Sequence, residues 1–251
     1  MFTQVLICAA GLGIASLAGS GIGALMKRIP HNWNDIFLGY CAGMMLAASL
    51  VCLIMPGIEM VPTSRFWEPL LGVCAGALLI AALDYVTPHL HRLSGIDTER
   101  HPQTTSVDKV LLFVLAIALH KFPEGLATGV SFDGADINNA YTLSLVIALQ
   151  NIPEGMVVVT PLIMVGVGAW RVLGVSLAVA MLEMAGVCVG YWLGDISTAL
   201  LPGFLGFAGG AMLYVISDEM IPETHAHGFE KYASYALIAG VMTMLFIDRL
   251  A

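Results

Sequence analysis

Charged residues are scarce in this sequence, and their scarcity excludes most water-soluble protein classes. Lys, Arg, Asp and Glu make up only 11% of the 251 residues, whereas 58% are hydrophobic. The mean hydropathy is +0.86. A soluble domain carries about a quarter of its residues as charges. Basic residues are also too few and too scattered to form a nucleic-acid-binding patch, so no nucleic-acid partner is predicted.

Several motifs that would indicate other functions are missing. The five cysteines show no Cys-x-x-Cys spacing, which argues against a disulfide framework and a thiolate zinc site. No GxxxxGK[ST] loop is present, so no step driven by nucleotide hydrolysis is predicted. No His-Glu-x-x-His motif occurs, which disfavours an intramembrane metal-dependent hydrolase. We predict neither an enzyme nor an organic cofactor.

Long apolar runs dominate what is present. Eight runs are long enough to cross a hydrocarbon core about 30 Å thick. They are Phe2 to Met26, Ile36 to Met55, Trp67 to Val86, Val110 to Phe132, Tyr141 to Val165, Val172 to Leu193, Ala199 to Ile216 and Tyr232 to Ile247. The connections are short and no polar linker divides them. The sequence predicts an all-α integral membrane protein of eight transmembrane helices, with residues 1–251 in one domain.

The basic residues of the connections predict the orientation, because basic residues in short loops tend to remain cytoplasmic. We name each connection by the two predicted helices that it joins. Connections 2–3, 4–5 and 6–7 together contain one basic residue, Arg65. The other connections contain Lys27, Arg28, Arg92, Arg100, Lys109, Arg171 and Lys231. Both termini are therefore predicted to lie outside. The outer connections carry Asp133, Asp136 and Asp195, an acidic mouth that would attract cations.

A nine-residue repeat places carboxylates inside two of the apolar runs. Ile117-Ala-Leu-His-Lys-Phe-Pro-Glu-Gly125 and Ile147-Ala-Leu-Gln-Asn-Ile-Pro-Glu-Gly155 lie thirty positions apart. A carboxylate at the centre of a membrane helix costs about 3 kcal/mol or more unless it has a partner. Two of them at equivalent places predict one shared polar site near the middle of the membrane.

Each repeat carries a pair of polar residues at helical spacing. His120 and Glu124 are four residues apart, as are Gln150 and Glu154, and this interval stacks two side chains on one helix face. Imidazole and carboxylate together suit zinc or another first-row divalent ion. The alternative is that His120 and Gln150 only hydrogen-bond across helices while the glutamates are protonated. The duplication favours the metal site.

Proline and glycine occupy the same places in both repeats. Pro123 and Pro153 have no N–H group and are predicted to kink helices 4 and 5, which would free backbone carbonyls for an ion or water. Gly125 and Gly155 would allow another helix to approach closely. Kinked helices 4 and 5 are therefore predicted to face each other and to form the central site.

Helices 4 and 5 resemble those of the ZIP (Zrt/Irt-like) family of divalent metal transporters, in particular its prokaryotic and GufA-like members. The family pattern is His-Asn-x-Pro-Glu-Gly followed by His- or Gln-x-x-Pro-Glu-Gly. Gly43-Met-Met-Leu-Ala-Ala-Ser49 and Tyr214-Val-Ile-Ser-Asp-Glu-Met-Ile-Pro-Glu-Thr-His225 are also similar to family segments. The resemblance implies eight helices with both termini outside, the topology already reached from hydropathy and charge.

The resemblance also implies a set of metal ligands, namely Met45, His120, Glu124, Gln150 and Glu154. A second metal would use Asn151, Glu183 and the residue after His120. That residue is Lys121 here, where the family usually has Asn, and a protonated lysine cannot ligate a metal. We therefore predict one bound metal, with Lys121 replacing the second ion electrostatically.

Glu183 lies in the middle of helix 6 with no basic residue nearby in the sequence. It is predicted either to pair with Lys121, as a gate or charge-balancing residue, or to hydrogen-bond to a neighbouring helix. The second-site roles of Glu183 and Asn151 stay open.

Other polar residues mark the ends of the predicted pathway. Glu59 closes helix 2 on the outer side and would line the entrance. Asp218, Glu219, Glu223 and His225 cluster at the cytoplasmic end of helix 7. They either take the ion from the central site or form an ordinary solvated helix end.

The predicted function is secondary transport of divalent transition-metal ions into the cytoplasm by a multi-pass protein of the cell (inner) membrane. Zn²⁺ is the first expectation, and Gln150 in place of a second histidine predicts that Cd²⁺, Fe²⁺ and Mn²⁺ are also carried. The resemblance implies a transport bundle of helices 1, 4, 5 and 6 within the lipid bilayer. Helices 2, 3, 7 and 8 would form a scaffold and, in a homodimer, the interface. A selective metal-ion channel is the alternative, and a hydrolase is disfavoured.

Overall fold

The computed structural model describes residues 2–26, 31–86, 121–133, 137–164, 166–196, 199–225 and 228–250. Throughout these ranges the regular structure is helical and contains no strand. The predicted all-α class is confirmed for the part of the chain that the structure describes.

We number the helices α1 to α8 in chain order. They are α1 (Phe2–Met26), α2 (His31–Ala48), α3 (Trp67–Val86), α4 (described over 121–131), α5 (Ile137–Met164), α6 (Ala169–Ile196), α7 (Leu201–Val215) and α8 (Glu230–Leu250). A 3₁₀ turn, Thr63–Arg65, precedes α3. Each helix coincides with one of the predicted apolar runs, and several extend past their run into polar residues. Backbone hydrogen bonding continues there, whereas hydropathy detects only the apolar part.

Among the described residues, six helical segments are long and apolar enough to cross a membrane. They are Phe2–Met26, Asp35–Glu59, Thr63–Ala82, Ala169–Gly194, Leu201–Thr224 and Glu230–Leu250. The outward faces of several carry large apolar side chains, such as Ile14 at 67% exposed and Leu78 at 69% exposed. Lipid is the solvent that suits such a surface. The full count of eight spans stays a prediction.

Both α2 and α7 continue past a wider, π-helical turn. In α2 the turn is Ser49–Ile54, followed by the α-helical segment Met55–Glu59. In α7 the turn is Ile216–Met220, followed by Ile221–Thr224. Each following segment has a proline, Pro56 or Pro222, in its first turn, where the missing N–H disturbs the hydrogen bonds of the preceding turn.

The kinks predicted at Pro123 and Pro153 remain predictions. Both prolines lie inside stretches that are helical throughout the described residues, 121–131 and α5.

Glycine allows the helices to pack in close pairs, as is common between membrane helices. Gly43 faces Leu237 where α2 crosses α8, and Gly76 faces Phe207 where α3 crosses α7. Two further close pairs are α4 with α6 and α5 with α1. The pairs form two groups. One, which we call the site group, contains α1, α4, α5 and α6; the other, the frame group, contains α2, α3, α7 and α8.

The two groups meet mainly where α2 packs against α5. The same partition was implied by the family resemblance, as transport bundle and scaffold. The repeated motifs are therefore both in the site group, and one frame helix lies beside them.

Candidate functional site

The Lys121 ammonium lies at the centre of the site group. Its Nζ donates to Glu124 Oε2 at 2.6 Å, to Asn151 Oδ1 at 2.6 Å, and to Glu154 Oε2. An ammonium has three N–H donors, so these three acceptors use all of them. Lys121 is 2% exposed, and both glutamates are also buried. The two carboxylates of the repeat therefore share one cation that belongs to the chain.

Glu183 extends this cluster toward α1. Its Oε2 accepts a hydrogen bond from Ser16 Oγ at 3.0 Å, and its Oε1 accepts one from Asn151 Nδ2 at 2.7 Å. The side chain is fully buried. Asn151 thus bridges Lys121 and Glu183, accepting from the first and donating to the second. The charge-balancing partner that we predicted for Glu183 is joined to it through this amide.

The repeat places corresponding groups at corresponding positions. Lys121 and Asn151 follow the first polar residue of each repeat, and they hydrogen-bond to each other. The glycine of each repeat faces a polar residue of the paired helix. A Cβ on Gly125 would overlap the carbonyl oxygen of Glu183, and a Cβ on Gly155 would lie 2.6 Å from that of Ser16.

Close packing explains why the polar groups of four helices converge. Each glycine lets its helix approach the backbone of its partner, at Glu183 for Gly125 and at Ser16 for Gly155. Glu183 and Ser16 are brought together in this way and hydrogen-bond to each other.

Gln150 has a buried amide that is available to a ligand. It is fully buried, and neither its Oε1 nor its Nε2 has a hydrogen-bond partner among the residues that the structure describes. Leaving a buried amide unpaired costs about 1–3 kcal/mol. Its own backbone carbonyl accepts a hydrogen bond from Cys41 Sγ of α2 at 3.6 Å. Met45 lies one turn further along α2 and is 1% exposed.

His120 lies outside the described residues. Within the described ranges, no three His, Cys, Asp or Glu side chains converge closely enough to hold a metal ion. The Lys121 ammonium lies between the two glutamates and pairs with both. The arrangement described is a cation-binding site whose cation is supplied by the chain.

The cluster carries a net negative formal charge. Glu124, Glu154 and Glu183 contribute three negative charges when ionised, and Lys121 contributes one positive charge, which leaves −2. Charges buried away from water are stable only when they are balanced. A single divalent cation would neutralise this cluster.

The residues predicted at the ends of the pathway lie apart from the centre. Glu59 is exposed at the end of the Met55–Glu59 segment of α2. Asp218 and Glu219 are half-buried in the π-helical turn of α7, and Glu223 follows them. His225 is exposed, with its Nδ1 at 2.9 Å from the carbonyl oxygen of Ile221. They form two polar ends on different frame helices.

Sequence reasoning missed Ser16 and Cys41, which touch the site residues Glu183 and Gln150. Ser16 is one of the few hydroxyls in a helix of glycine, alanine and leucine, and that contrast is the signal that could have identified it. Cys41 lies four residues before Met45, on the same helix face.

Comparison with known proteins identifies a family and several relatives of this chain. Residues 84–248 match the family model described as ZIP Zinc transporter. The zinc transporter ZIPB of Bordetella bronchiseptica is 40% identical over 246 residues, which cover 94% of this chain and 79% of the relative. The zinc transporter GufA of Myxococcus xanthus is 39% identical over 251 residues, which cover 95% of this chain and 98% of the relative. The zinc transporter ZupT of Streptococcus mutans is 29% identical over 248 residues, which cover 92% of this chain and 93% of the relative.

Proposed function

Because this chain belongs to the ZIP zinc transporter family, we propose that it carries divalent transition-metal ions, Zn²⁺ first among them, across the membrane into the cytoplasm. As a member of that family it is a membrane protein that transports metal ions, and it is not an enzyme. The observation that carries the proposal is the buried cluster of three carboxylates and one ammonium at the repeated motif. Its net negative charge, inside a protein with apolar outer faces, suits passage of a cation.

The transported ion would bind to Met45, His120, Glu124, Gln150 and Glu154. The unpaired amide of Gln150 and the shared position of the two glutamates support this set. The mixture of thioether, imidazole, amide and carboxylate donors suits several first-row ions and Cd²⁺. We therefore propose that Cd²⁺, Fe²⁺ and Mn²⁺ are carried as well as Zn²⁺.

One ion would be bound at a time. A divalent ion and an ammonium about 4 Å apart repel each other by about 8 kcal/mol at an effective dielectric constant near 20. The ion must therefore displace Lys121 from the glutamates. Asn151 and Glu183 would then balance the lysine, and no second metal would be needed.

The pathway would run from Glu59, at the outer end of α2, to the acidic end of α7. Asp218, Glu219, Glu223 and His225 offer oxygen and imidazole groups that suit a departing metal ion. The predicted orientation, with both termini outside, puts this end in the cytoplasm. In a bacterial cell the membrane would be the inner membrane.

A carrier is favoured over a channel by the division into two helix groups. The proposed ligand Met45 belongs to the frame helix α2, which packs against α5, the site-group helix that carries Gln150 and Glu154. Movement of one group against the other would open the site to each side in turn, as in other secondary transporters. The frame group would serve as the scaffold and, in a homodimer, as the interface. Transport that saturates with metal concentration would support a carrier, and flux proportional to concentration would support a channel.

Metal flux into proteoliposomes tests the proposed function. Purified protein would be reconstituted with a Zn²⁺- or Cd²⁺-sensitive dye inside the vesicles, beside the variant Glu154→Gln. The control variant is Glu230→Gln, an exposed glutamate at the start of α8. We expect saturable flux that Glu154→Gln lowers at least about 100-fold, equivalent to about 2.7 kcal/mol in the barrier, while Glu230→Gln leaves it unchanged. Equal flux in all three proteins would refute the site.

A further inference from the structure

A small cavity lies beside Lys121, between the four helices of the site group. It is lined by Ser16, Ser20, Lys121, Gly155, Ser176 and Val179. Its free space is sufficient for about one water-sized group. An ammonium head is of that size. The cavity is therefore large enough to accept the end of the lysine that already forms part of its wall.

The lining of the cavity provides hydrogen-bond acceptors. Ser16 Oγ donates its proton to Glu183, and Ser176 Oγ donates to the carbonyl oxygen of Val172 at 3.0 Å. Each hydroxyl thereby uses its only donor and keeps oxygen lone pairs that can accept. An ammonium can only donate, so the two kinds of group are complementary.

The cavity is also close to negative charge. Ser16 connects it to the carboxylate of Glu183, which is fully buried. Asn151 already bridges Lys121 and Glu183. If the Lys121 ammonium moved into the cavity, it would leave the carboxylates of Glu124 and Glu154. It would then contact serine hydroxyls that lie beside a third carboxylate, that of Glu183. Its charge would stay in contact with a negative partner, as a buried ammonium requires.

We propose that this serine-lined cavity is a second binding site for the Lys121 ammonium, occupied when a metal ion takes its place between Glu124 and Glu154. The inference rests on the proposed function, because it needs a metal ion at those glutamates. Ser20 and Ser176 are positioning residues that hold the displaced lysine. Lys121 is then a counter-cation with two positions. In the empty carrier its ammonium pairs with Glu124 and Glu154, and in the metal-loaded carrier it lies in the serine-lined cavity beside Glu183.

Calorimetric titration of the purified full-length protein with Cd²⁺ tests this proposal. The test variant is Ser20→Ala with Ser176→Ala, which removes two cavity hydroxyls and leaves every proposed metal ligand unchanged. The matched control is Ser131→Ala with Ser144→Ala, two buried hydroxyls of the same helix group that donate to Thr128 and Ala140 carbonyls. Each of these two double variants is also made in a protein that carries Lys121→Met, and the titration is repeated. Thermal unfolding of each variant checks that it remains folded.

We expect the cavity variant to weaken Cd²⁺ binding by about 100-fold or more, since each of the two hydroxyls would lose a hydrogen bond to a charged group. The control should leave the affinity unchanged. With Lys121→Met the cavity variant should have no further effect, because no ammonium has to be placed. This coupling is the result that a merely structural role of the serines would not produce.

Two results would overturn the proposal while leaving the proposed function intact. One is unchanged Cd²⁺ affinity in the cavity variant. The other is an equal loss of affinity with and without Lys121, which would show that the serines act independently of it. Absence of Cd²⁺ binding by the unsubstituted protein would refute the proposed function itself, and this inference with it.

Discussion

The motif in α4 and the motif in α5 have the same backbone environment but different charges. Each places a glutamate and a glycine after a proline, and each glycine packs on the backbone of a partner helix, α6 for Gly125 and α1 for Gly155. In α4 the variable polar position is Lys121 and the residue opposite the glycine is Glu183. In α5 the same positions are Asn151 and Ser16, which are neutral.

This difference indicates how a duplicated framework acquires an asymmetric site. The repeat and its glycines determine where side chains lie, and the side chains then determine the charge. The ionic residues of one half hydrogen-bond to the neutral residues of the other, Lys121 to Asn151 and Glu183 to Ser16. The neutral pair, Asn151 and Ser16, therefore orients Lys121 and Glu183 and adds no charge of its own.

The largest effect is expected from lowering the charge at the variable polar position of both motifs. Lys121→Asn with Asn151→Asp replaces one positive charge by none and adds a carboxylate, which changes the formal charge of the cluster from −2 to −4. Two divalent ions would then neutralise it. We expect the number of bound Zn²⁺ ions per chain, measured by equilibrium dialysis with elemental analysis, to rise from one to two.

The single variants serve as controls for that prediction. Lys121→Asn and Asn151→Asp each leave the cluster at −3, so the second ion should bind more weakly in either than in the double variant. One bound ion in all four proteins would contradict the assigned role of Lys121.

A smaller effect is expected from testing the equivalence of the two glutamates. Glu124→Gln and Glu154→Gln each remove one of the two carboxylates that share Lys121. Because both are buried and hold the same cation, each variant should weaken Zn²⁺ binding by about 100-fold, or about 2.7 kcal/mol. Competition with a fluorescent chelator measures the affinity. A loss confined to one glutamate would show that the two motifs are unequal at the metal as well as in charge.

The smallest effect is expected from the glycines, which test the shared packing. Gly125→Ala and Gly155→Ala would bring a methyl group into contact with backbone atoms of α6 and α1. Overpacking of this kind costs about 1–3 kcal/mol. Both variants should unfold at lower temperature in detergent.

The control for the glycine variants is Gly174→Ala. A Cβ at Gly174 meets no atom within 4 Å, although it lies in α6 as well. This variant should unfold no earlier than the unsubstituted protein, because alanine favours the helix by up to about 1 kcal/mol over glycine. Equal destabilisation by all three variants would remove the argument that the repeat glycines hold the site together.

Much of the fold could be predicted because the signals are local. The apolar runs coincide with the helices, and the Pro-Glu-Gly repeat identified Glu124 and Glu154, which the structure places against one lysine. The π-helical turns of α2 and α7 were not predicted. Hydropathy is the same for either kind of turn, and the wider turn depends on backbone hydrogen bonding near Pro56 and Pro222.

By itself, the sequence determined the membrane class, the helix positions and the residues able to bind a cation, since composition, run length and spacing along a helix are enough for these. Only the tertiary structure decided which groups form hydrogen bonds and ion pairs with those residues. Ser16 and Glu183 are 167 positions apart, and their hydrogen bond depends on how α1 and α6 are rotated and paired. Those rotations follow from close glycine contacts between helices, which no single segment encodes.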